Sequence, residues 1–347
     1  MMMYKINVDR LPELYAKMAE SRALYLPIEK NDQVEFHPWN ADACVRLDKL
    51  NTAKSAKDLF FPQTENLMKF KMQGKNISIE ENRDPVEPFV LFGVRACDVR
   101  SFDVLDKVFL ADPVDTFYQS RRENGVVISM ACHEPEETCF CHAFGIDAAD
   151  PAGDISCWMV EGTLYWKPLT EKGQALTETV SALMEQAGDQ DQAKVEESQK
   201  ALHAVMEKLP LYDLDLTGFD GDHLLEKFNS EKWAKLSEAC LGCGSCTFVC
   251  PTCQCYDIRD YDNGHGVQRY RCWDSCMYSD FTMMAHGTPR KTQLEKFRQR
   301  FMHKLVYFPS NNDGMYSCVG CGRCLTKCPI SMNIVKVIKA LGGENHA

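Results

Sequence analysis

Two stretches of this chain repeat one cysteine spelling. CLGCGSCTFVCP runs from Cys240 to Pro251, and CVGCGRCLTKCP from Cys318 to Pro329. Each reads C-x2-C-x2-C-x3-C-P, so eight thiols at fixed spacing must be drawn around something. The spacing suits a [4Fe–4S] cube. Three thiolates two residues apart wrap one side of the cube, and the glycines between them let the backbone approach its sulfides. In two-cube ferredoxins the fourth cysteine ligates the other cube. The proline after it helps fix the turn and offers no competing N–H. The expected sets are therefore Cys240, Cys243, Cys246 and Cys328 for one cube, and Cys318, Cys321, Cys324 and Cys250 for the second. Paired C-x2-C units also read as zinc ribbons, but zinc wants two pairs of ligands, and here each run holds four with the proline ending.

The rest of the composition narrows the setting. Eighteen cysteines in 347 residues would suit a secreted disulfide scaffold only in a short chain with a signal peptide. The opening MMMYKINVDRLPEL meets Lys5, Asp9 and Arg10 too early for one. A cytoplasmic place is expected, where thiols serve metal or redox chemistry. The net charge of −11 argues against a nucleic-acid footprint, and no apolar run approaches a membrane span.

Along the chain, three regions are expected, giving an α+β protein. Residues 1–170 read as an α/β domain, 171–210 as a helical arm, and 211–347 as a mostly helical ferredoxin domain with two cubes. Residues 1–20 read as a short amphipathic helix, with Leu11, Leu14, Tyr15 and Met18 on one stripe. RALYLPIE, QVEFHPWN, NGVVISMAC and TLYWKPL read as strands. PFVLFGVRACDVRSFDVLDKVFL begins as a buried strand and continues as a helix. The arm carries two apolar stripes, Leu176, Val180, Leu183 and Met184, then Leu202, Val205, Met206 and Leu209, broken at AGDQDQ. The long insert between the cysteine runs is basic and helical in its second half, with Arg290, Lys291, Lys296, Arg298, Arg300 and Lys304. Those cations are read as offsetting the negative charge of thiolate-ligated clusters or meeting an acidic partner. Cys253, Cys255, Cys272 and Cys276 in the insert are read as lying beside the ligands or packing. The two GxG fragments inside the runs follow no strand, so no dinucleotide site is expected on this chain.

A second cysteine group precedes the arm. GVRACDVRS puts Cys97 in the loop after a buried strand, and ACHEPEETCFCHAFG puts Cys132, Cys139 and Cys141 at the end of the next. Four thiols on adjacent strand ends suit a third [4Fe–4S] cluster; a zinc site and unligated thiols stay open. Arg95 and Asp98 flank Cys97, and Arg95 is placed either to donate to cluster sulfides or to form a surface ion pair. Cys44 and Cys157 stand alone.

FGVRACDVRSFDVLDKVF, ACHEPEETCFC, ACLGCGSCTFVCPTCQCYDIRD, RCWDSCMYSDFTMMAHG, FMHKL and CVGCGRCLTKCP, taken in order, resemble a known family. The chain is similar over residues 85–335 to the iron–sulfur subunit of anaerobic sulfite reductase and to the β subunit of cytoplasmic sulfhydrogenase-type nickel–iron hydrogenases. The resemblance implies an electron-relay subunit with an α-helical ferredoxin domain. It implies a partner subunit of ferredoxin-reductase type that binds FAD and NAD(P), and a terminal catalytic subunit of sulfite reductase, hydrogenase or other type. The family's ligands map onto the eight cysteines of the two runs, and its amino-terminal set onto Cys97, Cys132, Cys139 and Cys141. Cys272 and the surroundings of His286 depart from the family pattern. No catalytic residue is expected on this chain. The competing readings are a self-contained reductase with a substrate at the amino-terminal site, and a structural zinc protein.

Overall fold

Phe89–Val94 and Gly125–Met130 are buried at every position, as continuous apolar runs in the middle of a parallel sheet must be. The structure, a computed structural model, describes residues 2–81, 83–264 and 266–342. Its strands are β1 (Tyr4–Asn7), β2 (Ala23–Lys30), β3 (Gln33–Pro38), β4 (Thr64–Gln73), β5 (Asn76–Glu81), β6 (Phe89–Val94), β7 (Gly125–Met130), β8 (Ile155–Val160), β9 (Thr163–Pro168), β10 (Glu185–Gln186), β11 (Tyr256–Asp262) and β12 (Val267–Trp273).

Eight strands form one sheet in the order β10-β1-β9-β8-β7-β6-β2-β3. The central four, β2, β6, β7 and β8, are parallel, and the flanking strands are antiparallel. Helices α1 (Leu11–Ala19), α2 (Ala96–Phe109), α3 (Thr116–Asn124), α4 (Glu171–Val180) and α5 (Asp189–Met206) cover it. Strand alternation decides which face each residue feeds. Val90 and Phe92 join Leu14, Met18, Leu176 and Val180 of α1 and α4 in one core. Phe89 and Leu91 join Val99, Phe102 and Leu105 of α2 with Phe60 and Phe61 in another. Each such buried side chain contributes about 1.5–3 kcal/mol. The α/β reading of the amino-terminal region therefore stands.

Three expectations change. The stripe on residues 11–18 is buried as expected, but Tyr4–Asn7 is a strand, held between β9 and β10; pairing overrides the local helical pattern. The segment 171–210 lies against the large sheet: Leu176 and Val180 enter its core, and Val195 of α5 packs on Trp158 and Tyr165. The region after 211 is not uniformly helical. β11 and β12 form a hairpin that extends β4 and β5 into a second sheet, ordered β11-β12-β4-β5. The connection runs from Asn263 to Gly266, with Gly264 in the left-handed region at φ +79° and Asn263 N donating to the Gly266 carbonyl at 3.2 Å. Arg271 of β12 is buried in an ion pair with Glu65 of β4 at 2.5 Å and in a second with Asp115, tying this sheet to α3.

Short helices complete the carboxy-terminal region: α6 (Leu224–Asn229), α7 (Lys232–Glu238), α8 (Ser245–Phe248), α9 (Gln293–Met302), α10 (Phe308–Asn311), α11 (Arg323–Thr326) and α12 (Ile334–Leu341). Thr292 and Glu295 cap α9 reciprocally, and a π-turn at His303–Tyr307 joins it to α10. Trp233, Phe297, Phe301, Leu305, Val337 and Ile338 make the core beneath the cysteine runs.

Candidate metal centres

The first cysteine run begins where α7 ends. Gly244, at φ +74°, then turns the chain into α8. This loop, met by the segment after the second run, encloses about 410 Å³ of unfilled space, part of it open to solvent. Its walls carry Cys240, Cys243, Cys246 and, from the other run, Cys328. Polar groups converge on these sulfurs. Gln293 Nε2 donates to Cys240 Sγ at 3.3 Å, Met332 N donates to Cys328 Sγ at 3.2 Å, and Ser245 Oγ lies 3.4 Å from Cys243 Sγ. The Ser245 contact pulls the Cys243 thiol below its usual range.

The second run mirrors the first, with Gly322 at φ +78° leading into α11. Cys318, Cys321 and Cys324 each stand within electrostatic reach of Cys250. Burial pushes all three thiols up, Cys324 to about 12. Cys250 is pulled down by a hydrogen bond from Cys253, by Lys304 and by Thr252, whose Oγ1 lies 3.2 Å away. The first expected crossed set thus lines one cavity, and Cys250 faces the three cysteines of the second run that share its expected set.

The amino-terminal set converges as well. β6 and β7 are neighbouring parallel strands, so the loops at their carboxyl ends are adjacent, where α/β folds keep their sites. Cys97 opens α2 after β6, and Cys132, Cys139 and Cys141 follow β7. All four line one cavity, with about 350 Å³ of space between its atoms, part of it open to solvent. Burial pushes each of these thiols up, Cys139 to about 12. Gly320 and Cys321 of the second run line the same cavity. Gly320 has φ +60°, and a Cβ there would collide with the backbone of Phe140 and Cys141; its carbonyl accepts from Phe140 N at 3.0 Å.

Among the described residues, no three His, Cys, Asp or Glu donors are drawn together closely enough for a single metal ion. A tetrahedral zinc needs thiolates about 2.3 Å from one point, whereas a cube spreads its four thiolates over four irons. Buried cations test the fit independently. Arg300 and Lys304 are each 4% exposed and, among the described residues, neither forms an ion pair with a carboxylate. Arg300 Nε is buried without a hydrogen-bond partner. Burial opposes both charges, and the groups that counter it are cysteines, which do so only as thiolates: Cys246, Cys324, Cys253 and Cys250 around Arg300, and Cys250, Cys253 and Cys318 around Lys304. Uncompensated buried charge is costly, and thiolates ligating iron would supply the compensation. Cysteines with raised pKa values release their protons when metal binds.

The basic stretch divides accordingly. Lys296, Arg300 and Lys304, four residues apart, turn inward, while Arg290, Lys291 and Arg298 stay more exposed. Arg95 is buried, not a surface ion pair: it donates to the carbonyls of Ala131, Leu47 and Lys49 at 2.6–3.0 Å and lines the amino-terminal cavity. Asp98 takes a bidentate bond from Arg323 at 2.6 and 2.7 Å, which joins the turn after Cys97 to the second cysteine run. Arg323 stands inside that run, where the first run has Ser245, and its spacing alone does not reveal this partner. Lys57, buried with Nζ 2.9 Å from the Cys253 carbonyl and 3.5 Å over the Trp273 ring, has no local signal at all. Of the insert cysteines, Cys255 hydrogen-bonds Cys276 and Cys253 hydrogen-bonds Cys250, whereas Cys272 sits on β12 opposite Asp257 and Thr64.

Two comparisons with known proteins agree with this geometry. Residues 239–332 match the family described as a 4Fe-4S dicluster domain. Over 341 residues, 96% of this chain and 96% of the relative, the sequence is 32% identical to Sulfhydrogenase 2 subunit beta of Pyrococcus furiosus. That likeness extends beyond residues 85–335 into the amino-terminal strands, where no motif is readable. No helix among the described residues is long and apolar enough to cross a membrane.

Proposed function

The chain belongs to the family of sulfhydrogenase β subunits, and on that premise we propose that it is the electron-relay subunit of an oxidoreductase complex. In this reading it holds two [4Fe–4S] cubes, one on Cys240, Cys243, Cys246 and Cys328, the other on Cys318, Cys321, Cys324 and Cys250. A third is held by Cys97, Cys132, Cys139 and Cys141. Each cube, when bound, takes up and releases one electron. The chain's own residues define a line of three sites. Cys243 and Leu241 are exposed, so the first site opens at the surface. Arg300 lines the first and stands within electrostatic reach of Cys324 and Cys250 of the second, and Gly320 and Cys321 form a wall common to the second and third. The ends of the line face two partners: one that binds FAD and NAD(P), where a hydride pair is split into single electrons, and a terminal catalytic subunit of hydrogenase or sulfite reductase type. The residues of this chain then bind, insulate and tune the cubes and perform no bond chemistry.

The observation that carries the proposal is the meeting of Cys328 with Cys240, Cys243 and Cys246 around one cavity. Anaerobic purification with iron and sulfide analysis is expected to find about eight to twelve irons per chain, at four per cube. Cys328→Ala and Cys246→Ala should abolish the same paramagnetic signal, and Cys250→Ala a different one. Zinc without iron or labile sulfide would end the relay reading. Turnover by the isolated protein with artificial donors would replace it with a self-contained reductase.

A further inference from the structure

Resting on that relay reading, we propose that Arg300 tunes the reduction potentials of both carboxy-terminal cubes together, while Lys304 tunes only the cube on Cys250, Cys318, Cys321 and Cys324. The geometry separates the two cations. Arg300 lines the cavity walled by Cys240, Cys243, Cys246 and Cys328, and Cys324 and Cys250 of the other set lie within electrostatic reach of its guanidinium. It rests on the Phe301 ring at 4.4 Å, makes no hydrogen bond among the described residues, and leaves Nε unpartnered. Lys304 is held apart from the first cavity. Its Nζ donates to Thr252 Oγ1 at 2.9 Å and to the Ser317 carbonyl at 3.0 Å. Thr252 Oγ1 lies 3.2 Å from Cys250 Sγ, and Ser317 precedes Cys318. Lys304 thus reaches the second set through two neighbours of its ligands.

A cube gains one negative charge on reduction. A fixed cation nearby in a water-poor site stabilises the reduced state more than the oxidised one and raises the potential. Arg300 faces both sets, so it raises both potentials in step and leaves the gap between them nearly unchanged. The driving force for electron exchange between the cubes is then independent of Arg300. Lys304 sets the gap itself. A guanidinium with its donors spread across a plane suits two-sided contact, and an ammonium with three local donors suits one-sided contact.

The test is an anaerobic redox titration of the full-length protein followed by paramagnetic resonance, with the signals assigned through Cys243→Ser and Cys321→Ser. Arg300→Gln should lower both midpoints, each by at least tenfold in the reduction equilibrium, which is about 59 mV for one electron. Lys304→Gln should lower the midpoint of the Cys318-containing cube alone and so change the gap. Arg300→Lys keeps the charge but shortens its planar reach; it should shift both midpoints in the same direction by less, and it serves where Arg300→Gln fails to assemble. Intact cubes by iron and sulfide content with unmoved midpoints in the Arg300 variants overturn the proposal, as does a shift confined to one cube. Absence of iron in the unaltered protein overturns the relay reading instead, so the two failures are told apart.

Discussion

Leu241 and Val319 occupy the same place in the two cysteine runs, yet Leu241 is 66% exposed and Val319 2%. The next positions diverge in the same way. A Cβ on Gly242 would meet only the side-chain end of Gln293, whereas one on Gly320 would meet the backbone of Phe140 and Cys141. Ser245 touches Cys243, whereas its counterpart Arg323 reaches out of the run to Asp98 and Thr52. The shared spacing and the paired left-handed glycines build the same cradle twice. The residues between the cysteines decide its depth: the first run lies at the surface and the second is walled in by the amino-terminal half.

The largest break of this comparison is expected at the arginine. Arg323→Met leaves Asp98 buried and unpaired and should destabilise the protein by roughly 3–5 kcal/mol. Ser245→Ala removes one hydrogen bond and should cost about 0.5–1.5 kcal/mol. Equal costs in denaturant unfolding would erase the asymmetry. Next come the glycines. Both carry the left-handed backbone cost of about 1–2 kcal/mol on replacement by alanine. Gly320→Ala adds an overpacking cost of about 1–3 kcal/mol, while Gln293 swings away from Gly242→Ala. A Gly242→Ala variant as unstable as Gly320→Ala would show the first run to be as enclosed as the second. Smaller again, Val319→Ala should cost roughly 1.5 kcal/mol at about 0.8 per methylene-sized group, and Leu241→Ala less than about 0.5; thermal unfolding of the two variants side by side decides this. The smallest energetic perturbation is brief chelation in the cold. It should remove iron first from the site containing exposed Cys243, read as early loss of the signal that Cys243→Ser alters. Simultaneous loss of all signals would contradict a surface-to-interior gradient.

What could be read in advance follows the same division. Ligand spacing is local, so the two runs announce themselves, and the amino-terminal cysteines follow from strand ends that buried runs mark clearly. The inward turn of Lys296, Arg300 and Lys304 was half legible: the four-residue spacing is in the sequence, but a charged stripe ordinarily faces water. The hairpin at Tyr256–Trp273 carried its own signal in Asn263-Gly264 and was hidden by the surrounding helical segments. Arg323 with Asp98, and Lys57 under the Cys253 carbonyl, were beyond reach. They join residues far apart in the chain, and no local pattern reports which distant carbonyl or carboxylate a buried cation will find.

β4 and β5 complete their sheet with β11 and β12, and Cys97, Cys132, Cys139 and Cys141 are walled by Gly320 and Cys321. During synthesis, Thr64–Glu81 therefore emerges long before its partner strands. At about 5–20 residues per second the wait is on the order of 10–40 s. The amino-terminal cysteines wait about as long, until the second run leaves the ribosome. The wall that shields the amino-terminal cysteines is thereby absent until translation has nearly finished, and the fold closes over its cysteine-lined cavities only at the end.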